Sequence, residues 1–508
     1  MHTRFALLAL VSVLLTAQPS YATPIPSDDT VAAQVHTIPE IDPFLGSKRM
    51  YPINGTGIEA ANVQSQPTNQ CTLIQFQMVA RHGSRNPEAA DITNFDAIQA
   101  TFNNATINPS VTPSQSLTDV QSFQNPFSLD QAGLLLSRGV QEHHDLAKRI
   151  LATYADFMSQ FQQTQLIQTR ASAVNRSTES GIAFLESFWE GKQDLTREQI
   201  LQSMSILDST ADPLLRPFAD CHAYTEGQKM LKKTSQSEQL KFADKTLGDA
   251  LQRLNFIFSL NLTQNDMLTI YSLCQFDVLA ADEPNRFCSL LTDEDLLNLN
   301  FIDDIDSSFK LGYDGGVINT QLACPLMTDI VSWMDQMVTA TTNTSGSIVT
   351  TTTYATTTTA YVTTTTVYAT TTTTYATATS TATSLPRIVL NFAHAETLMV
   401  LDTLMGSNED SEPLLANSSV ATVQNPNWDT SVFLPMAGNK FFELWDCGDA
   451  TDPTLQKDRF FVRMLQNEVP QAISGCPGSP DGLMCSLTEF EAKLQPHLGC
   501  DFNNICGE

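Results

Sequence analysis

Positive charge is scarce in this chain: 27 Lys and Arg face 55 Asp and Glu over 508 residues, a formal net charge of −28. Nucleic-acid binding needs an electropositive footprint, so this composition excludes it as a primary role. Long apolar runs are scarce too. Apart from the N-terminal stretch 5–15, nothing approaches the roughly 20 apolar residues of a membrane span, so none is expected. The segment 504–508 offers no retention signal and no apolar tail for a lipid anchor. The cysteines lack zinc-site spacing, and no metal or other cofactor is implied.

Residues 1–22 read as a secretory leader, with Arg4 ahead of the apolar core and Ser20-Tyr21-Ala22 at the cleavage end. A secreted chain is expected, released or held at the cell wall. The ten cysteines then read most simply as five disulfides. Six Asn-x-Ser/Thr sites (Asn54, Asn104, Asn175, Asn261, Asn343, Asn417) suit glycosylation, although Asn175 adjoins Arg176 and is expected to stay unmodified. From 339 to 384 the chain is mostly threonine, with Tyr354, Tyr361, Tyr368 and Tyr375 seven apart. Threonine is a poor helix former and offers no apolar seam, so the heptad spacing is not a coiled coil. An extended O-glycosylated insert and a β-prone adhesive segment both fit this composition.

Outside that insert the periodicity alternates. The apolar run Leu73-Ile74-Gln75-Phe76-Gln77-Met78 and the segment Gln165-Leu166-Ile167-Gln168-Thr169 predict strands. Residues 177–191 carry Ile182, Phe184, Leu185, Phe188 and Trp189 at helical spacing, and 237–258 and 293–309 repeat the pattern. A third strand, Arg387-Ile388-Val389-Leu390-Asn391-Phe392, leads into Ala393-His394-Ala395-Glu396-Thr397. The expected fold class is α/β: a mixed central sheet flanked by helices over 23–192 and 385–508, with a mainly helical cap over 193–335.

The most informative stretch is Val79-Ala80-Arg81-His82-Gly83-Ser84-Arg85-Asn86-Pro87. A buried strand running into two arginines around a histidine builds a cationic phosphate cradle about a nucleophile. His394 and Glu396 stand at a strand's carboxyl end, where open α/β sheets bind ligands.

Three segments together resemble the histidine acid phosphatases, in the branch of multiple inositol polyphosphate phosphatases and fungal phytases. They are Arg81 to Pro87, Arg176-Ser177-Thr178-Glu179-Ser180-Gly181, and His394-Ala395-Glu396. The resemblance implies that His82 attacks phosphorus, that Arg81, Arg85, Arg176 and His394 bind the phosphate, and that Glu396 protonates the leaving oxygen. Gly83 would leave the approach to phosphorus uncrowded. It also implies Cys71–Cys447, Cys274–Cys288 and Cys476–Cys485, leaving open how Cys221 and Cys324 share Cys500 and Cys506.

The implied partners are small polyanionic phosphate esters; oligomeric state stays open. Lys310, Lys48 and Arg49 are candidate contacts for distal phosphates, whereas Glu88 and Asp91 would repel a densely phosphorylated ring. A broad acid phosphatase that also takes bisphosphoglycerate is the nearest alternative. A catalytically weak surface adhesin with a glycosylated stalk is a further one.

Overall fold

The computed structural model describes residues 36–52, 71–161, 166–208, 211–342, 349–351, 378–380, 385–448, 456–476 and 483–507. The leader, Asn54, Asn343 and most of the Thr-rich stretch lie outside them. Of that stretch, the described residues show Val349–Thr351 paired antiparallel with Ala378–Ser380.

The strands are β1 (Thr72–Arg81), β2 (Ile167–Ser172), β3 (Met204–Leu207), β4 (Ile388–Ala393), β5 (Asn439–Asp446), β6 (Phe460–Gln466), β7 (Val469–Gln471) and β8 (Met484–Ser486). They form one sheet in the order β8-β6-β5-β1-β4-β2-β3, with β7 on β6. β1, β4, β2 and β3 run parallel, while β5, β6, β7 and β8 pair antiparallel, so the sheet is mixed.

The longer helices are α1 (Ala89–Asn103), α2 (Ser137–Thr153), α3 (Asn175–Trp189), α4 (His222–Thr246), α5 (Gly248–Phe258), α6 (Gln264–Ala281), α7 (Asp293–Leu311), α8 (Cys324–Thr342) and α9 (Ala395–Met405). β1 shows how they cover the sheet. Phe76, Met78 and Ala80 join a core with Leu146 and Ile150 of α2 and Phe184 and Phe188 of α3. Val79, pointing the other way, joins a second core with Leu398 of α9 and Ile330 of α8. Burial on both faces is the mark of a strand sandwiched between helices. Two polar residues interrupt β1 at no cost in unpaired donors, since the side-chain amides of Gln75 and Gln77 donate to the carbonyls of Trp333 and Ile330.

Helices α4 to α7 share the second core, which continues from the sheet face into the cap. The cap boundaries differ from the expected 193–335. β3 lies inside that range yet extends the sheet beside β2, and α8 packs on β1. Four residues at a sheet edge, Met204-Ser205-Ile206-Leu207, are too few to display a period.

All ten cysteines are paired. Cys71–Cys447, Cys274–Cys288 and Cys476–Cys485 occur as the resemblance implied, and the open pairing resolves as Cys221–Cys506 and Cys324–Cys500. The first bridge clasps β1 to β5 where Thr72 faces Asp446.

Candidate active site

Parallel pairing sets the three motifs side by side. In register, Arg81 at the end of β1 faces Ala393 at the end of β4, and Ala171 near the end of β2 faces Phe392. The chain then leaves the sheet at one edge as His82, as His394, and as the turn into α3 that carries Arg176. Three bonds lock this edge: His82 N–H to the Ala393 carbonyl (3.1 Å), Ser177 Oγ to the same carbonyl (3.0 Å), and Gly83 N–H to Ser180 Oγ (3.0 Å).

His82 is 3% exposed, and its ring lies 5.8 Å from that of His394 in an edge arrangement. Its Nδ1 sits 2.9 Å from the Gly83 carbonyl oxygen. A carbonyl only accepts, so Nδ1 carries the proton and Nε2 keeps its lone pair. Burial, reinforced by the charges of Arg81, Arg176 and Arg85, holds this imidazole neutral, well below the usual histidine range. A neutral ring with one nitrogen tied back and the other free is the form a nucleophile requires.

The arginines are constrained unequally. Arg81 Nη1 donates to the carbonyls of Ser47 (2.5 Å) and Leu434 (2.6 Å). Burial and then the proximity of Arg85 lower its pKa to about 9, so it remains a cation in acid and at neutrality. Arg85 Nη1 donates to the Asn86 carbonyl (2.8 Å). Arg176 is lowered by burial and by Arg85, against the opposing charges of Glu88 and Glu396. The Nε atoms of Arg81, Arg85 and Arg176 are buried without a hydrogen-bond partner among the described residues. Unpaired buried donors are costly, so such a group is built to receive acceptor oxygens.

Helix α2 supports the loop that follows His82. Glu142 accepts from both the backbone N–H and the hydroxyl of Ser84 (2.7 Å each). His143, which burial keeps neutral with a pKa of about 3, donates through Nε2 to the Arg81 carbonyl (3.1 Å). Gly139 packs directly on Gly83. The missing side chain of Gly83 thus leaves room for Gly139.

His394 Nε2 is 2.8 Å from Ser172 Oγ. Burial first, then Arg176, Arg216 and Arg81, lower its pKa to about 3 despite Glu396. Without a bound anion the ring is therefore neutral. Glu396 lies in the first turn of α9. Burial would raise its pKa, but Lys310, His394, its own backbone N–H and Arg81 outweigh burial and hold it at about 2. Glu396 borders a cleft of about 580 Å³ whose cap side bears Arg216, Lys310, Lys232 and Tyr224. The Lys310 backbone is fixed there, its carbonyl accepting from Tyr224 Oη (3.0 Å) and Gln228 Nε2 (2.9 Å).

Not every candidate reaches this place. Lys48 is 3.8 Å from Asp303, next to the Ser47 carbonyl that holds Arg81. Arg49 pairs with Asp42 at 2.6 Å and lines a separate cavity of about 640 Å³ with Arg138 and Tyr51. Arg216, by contrast, carried no motif signal, standing alone ahead of Pro217. Glu142 and His143 had a faint one: charged and polar residues on the face of α2 that also presents Leu146 and Ile150 to the core. Among the described residues no group of three or more His, Cys, Asp or Glu is placed to hold a metal ion.

Comparison with known proteins agrees with this geometry. The chain is 28% identical over 456 residues to a multiple inositol polyphosphate phosphatase 1 of Dictyostelium discoideum, covering 87% of this chain and 69% of that protein. It is 24% identical over 439 residues to a thiamine-repressible acid phosphatase of Schizosaccharomyces pombe, covering 84% and 81%. The fold matches the crystal structure of the phytase from D. castellii with a TM-score of 0.69 at 16% identity, over 97% of this chain and 93% of that one. The family model for the histidine phosphatase superfamily (branch 2) matches residues 72–467, and the chain belongs to that family.

Proposed function

We propose that this chain is a secreted phosphomonoesterase that removes phosphate from inositol polyphosphates through a phosphohistidine on His82. The observation that carries it is the free Nε2 of a neutral His82 ringed by Arg81, Arg85 and Arg176. In the first step Nε2 attacks phosphorus in line, the N–P bond forms and the ester P–O bond breaks, while guanidinium forks neutralise the non-bridging oxygens. The departing alkoxide takes a proton from Glu396. In the second step a water gives its proton back to Glu396 and its oxygen to phosphorus, and the N–P bond breaks.

The donor role requires a protonated Glu396, whereas its surroundings hold it ionised. A phosphate dianion entering among Arg81, Arg176 and Lys310 offsets those same cations and so raises the Glu396 pKa. The overall charge of −28 does not prevent anion capture, because Arg216, Lys232 and Lys310 line the cleft and concentrate positive potential there. That local cluster, together with the Dictyostelium relative, supports a polyphosphorylated ring as substrate. The Schizosaccharomyces relative supports a broader acid phosphatase, and the two readings share all of the chemistry above. The five disulfides support secretion.

Glu396→Gln separates the donor from the nucleophile. Turnover of an inositol polyphosphate should fall roughly 10²–10⁴-fold, and turnover of p-nitrophenyl phosphate much less, since p-nitrophenolate leaves without a proton. Equal losses on both substrates would remove the donor role from Glu396.

A further inference from the structure

Glu88 stands one residue past the Arg81 to Pro87 motif, and its partly exposed carboxylate turns toward two arginines. Its Oε1 lies 3.5 Å from Arg85 Nη1 and also 3.5 Å from Arg176 Nη1, spanning two guanidinium groups from different elements. Its Oε2 is seated under the backbone of residue 133, where a Cβ on Gly133 would stand 3.0 Å from Oε2 and 3.3 Å from Arg176 Nη1. Gly133 has φ +67°, a left-handed conformation that glycine adopts freely, and its N–H donates to the Pro87 carbonyl (2.9 Å). The loop is thereby folded down on this pair of arginines and the acid between them. A carboxylate and a phosphate both present oxygens that fit the guanidinium fork, so they compete for it.

A helix-capping role is the simpler reading. Glu88 precedes α1, where the helix dipole favours a negative charge, and its backbone N–H donates to Asp91 Oδ2 (3.1 Å). Capping alone, however, does not call for contact with two arginines outside that helix. The 3.5 Å separations and the 47% exposure of the side chain suit a contact that yields to a stronger ligand.

We propose that Glu88 is a specificity-determining residue, an internal anion that competes with phosphate for Arg85 and Arg176. It weakens the hold on product phosphate, and it penalises esters whose neighbouring phosphates crowd the same arginines. This rests on the reading of those arginines as phosphate-binding, which an Arg85→Ala control tests separately.

The experiment is calorimetric titration of the folded full chain with inorganic phosphate, for wild type, Glu88→Gln, Glu88→Asp and Arg85→Ala. Removing one negative charge about 4 Å from the guanidinium groups in a partly exposed site should tighten phosphate about tenfold in Glu88→Gln. Glu88→Asp keeps a helix-capping carboxylate but draws it back by one methylene, and should tighten phosphate by a smaller factor. In parallel, kcat/KM should rise more for inositol hexakisphosphate than for p-nitrophenyl phosphate in Glu88→Gln. Unchanged or weaker phosphate binding in Glu88→Gln and Glu88→Asp, with melting temperatures near wild type, would overturn the inference. Wild-type phosphate affinity in Arg85→Ala would instead overturn the reading of the arginines.

Discussion

Gly83 and Gly139 meet backbone to backbone: a Cβ on Gly83 would stand 2.3 Å from the Gly139 carbonyl oxygen, and one on Gly139 would stand 2.2 Å from the Ser84 carbonyl oxygen. The loop that follows His82 thus rests directly on helix α2, and the neighbouring Ser84–Glu142 bonds are its second anchor.

Two opposing effects meet in Gly139→Ala. Helix propensity alone favours alanine by about 1 kcal/mol at an interior position. The added methyl would meet the Ser84 backbone, however, with the carbonyl oxygen at 2.2 Å and the nitrogen at 2.7 Å, and overpacking of this kind costs about 1–3 kcal/mol or moves the loop. We expect net destabilisation, or a loss of turnover of at least about 10²-fold, as a 1 Å misplacement of the nucleophile would cause. A stabilised and fully active Gly139→Ala, by thermal melt and steady-state kinetics, would show that the loop does not depend on this crossing.

Lys310 is the strongest of the cations that hold Glu396 down at about 2. A depressed carboxylate contributes stability above its unfolded value of 4.5 and loses it as pH falls toward 2. Removing the lysine should raise the folded-state pKa, by roughly one to three units for loss of a close opposite charge. With Glu396 as the donor, the alkaline limb of kcat in Lys310→Met should move to higher pH on substrates with poor leaving groups. A pH profile that stays in place, or moves the other way, would argue that Lys310 does not govern the donor.

Asp402 on α9 and Lys440 on β5 form an ion pair of 2.5 Å with side chains 0% and 1% exposed. α9 begins at the His394–Glu396 segment, so this pair fastens the helix that carries Glu396 to the sheet. Asp402→Asn leaves an ammonium buried without its counter-ion and should cost about 3–5 kcal/mol. Denaturant unfolding measures it; a loss below about 1 kcal/mol would mean that water or another acceptor reaches Lys440.

The Thr-rich stretch joins α8 to the amino end of β4, whereas His394 leaves the carboxyl end. Gln75, near the start of β1, bonds to the carbonyls of Trp333 and Pro386 beside that junction. Deleting residues 343–383 should therefore leave turnover on soluble phosphate esters within about twofold. A change in kcat much larger than that would place the insert near the cleft.

The parts of the site that could be read from sequence are those where one local rule suffices. Phe76 to Arg81 shows a buried strand directly, and the charged residues that follow have no core to join, which marks a strand end. Gly139 and Arg216 could not be found this way, because each acts through a neighbour more than forty positions distant in sequence. The sheet edge at β3 was hidden by its length, and the end of the cap by a core that runs unbroken from α7 to α8. For Glu88, repulsion of substrate was legible from charge, but its seat between Arg85 and Arg176 was not.

The central claim is that His82 becomes covalently phosphorylated. The direct measurement is a rapid-quench experiment with a 32P-labelled inositol polyphosphate, denatured in alkali, where phosphohistidine survives, and then mapped by peptide. The expected result is one labelled peptide containing His82 in the wild type, label that accumulates in Glu396→Gln if dephosphorylation is slowed more than attack, and none in His82→Ala. Label on another residue, or full turnover by His82→Ala, would contradict it.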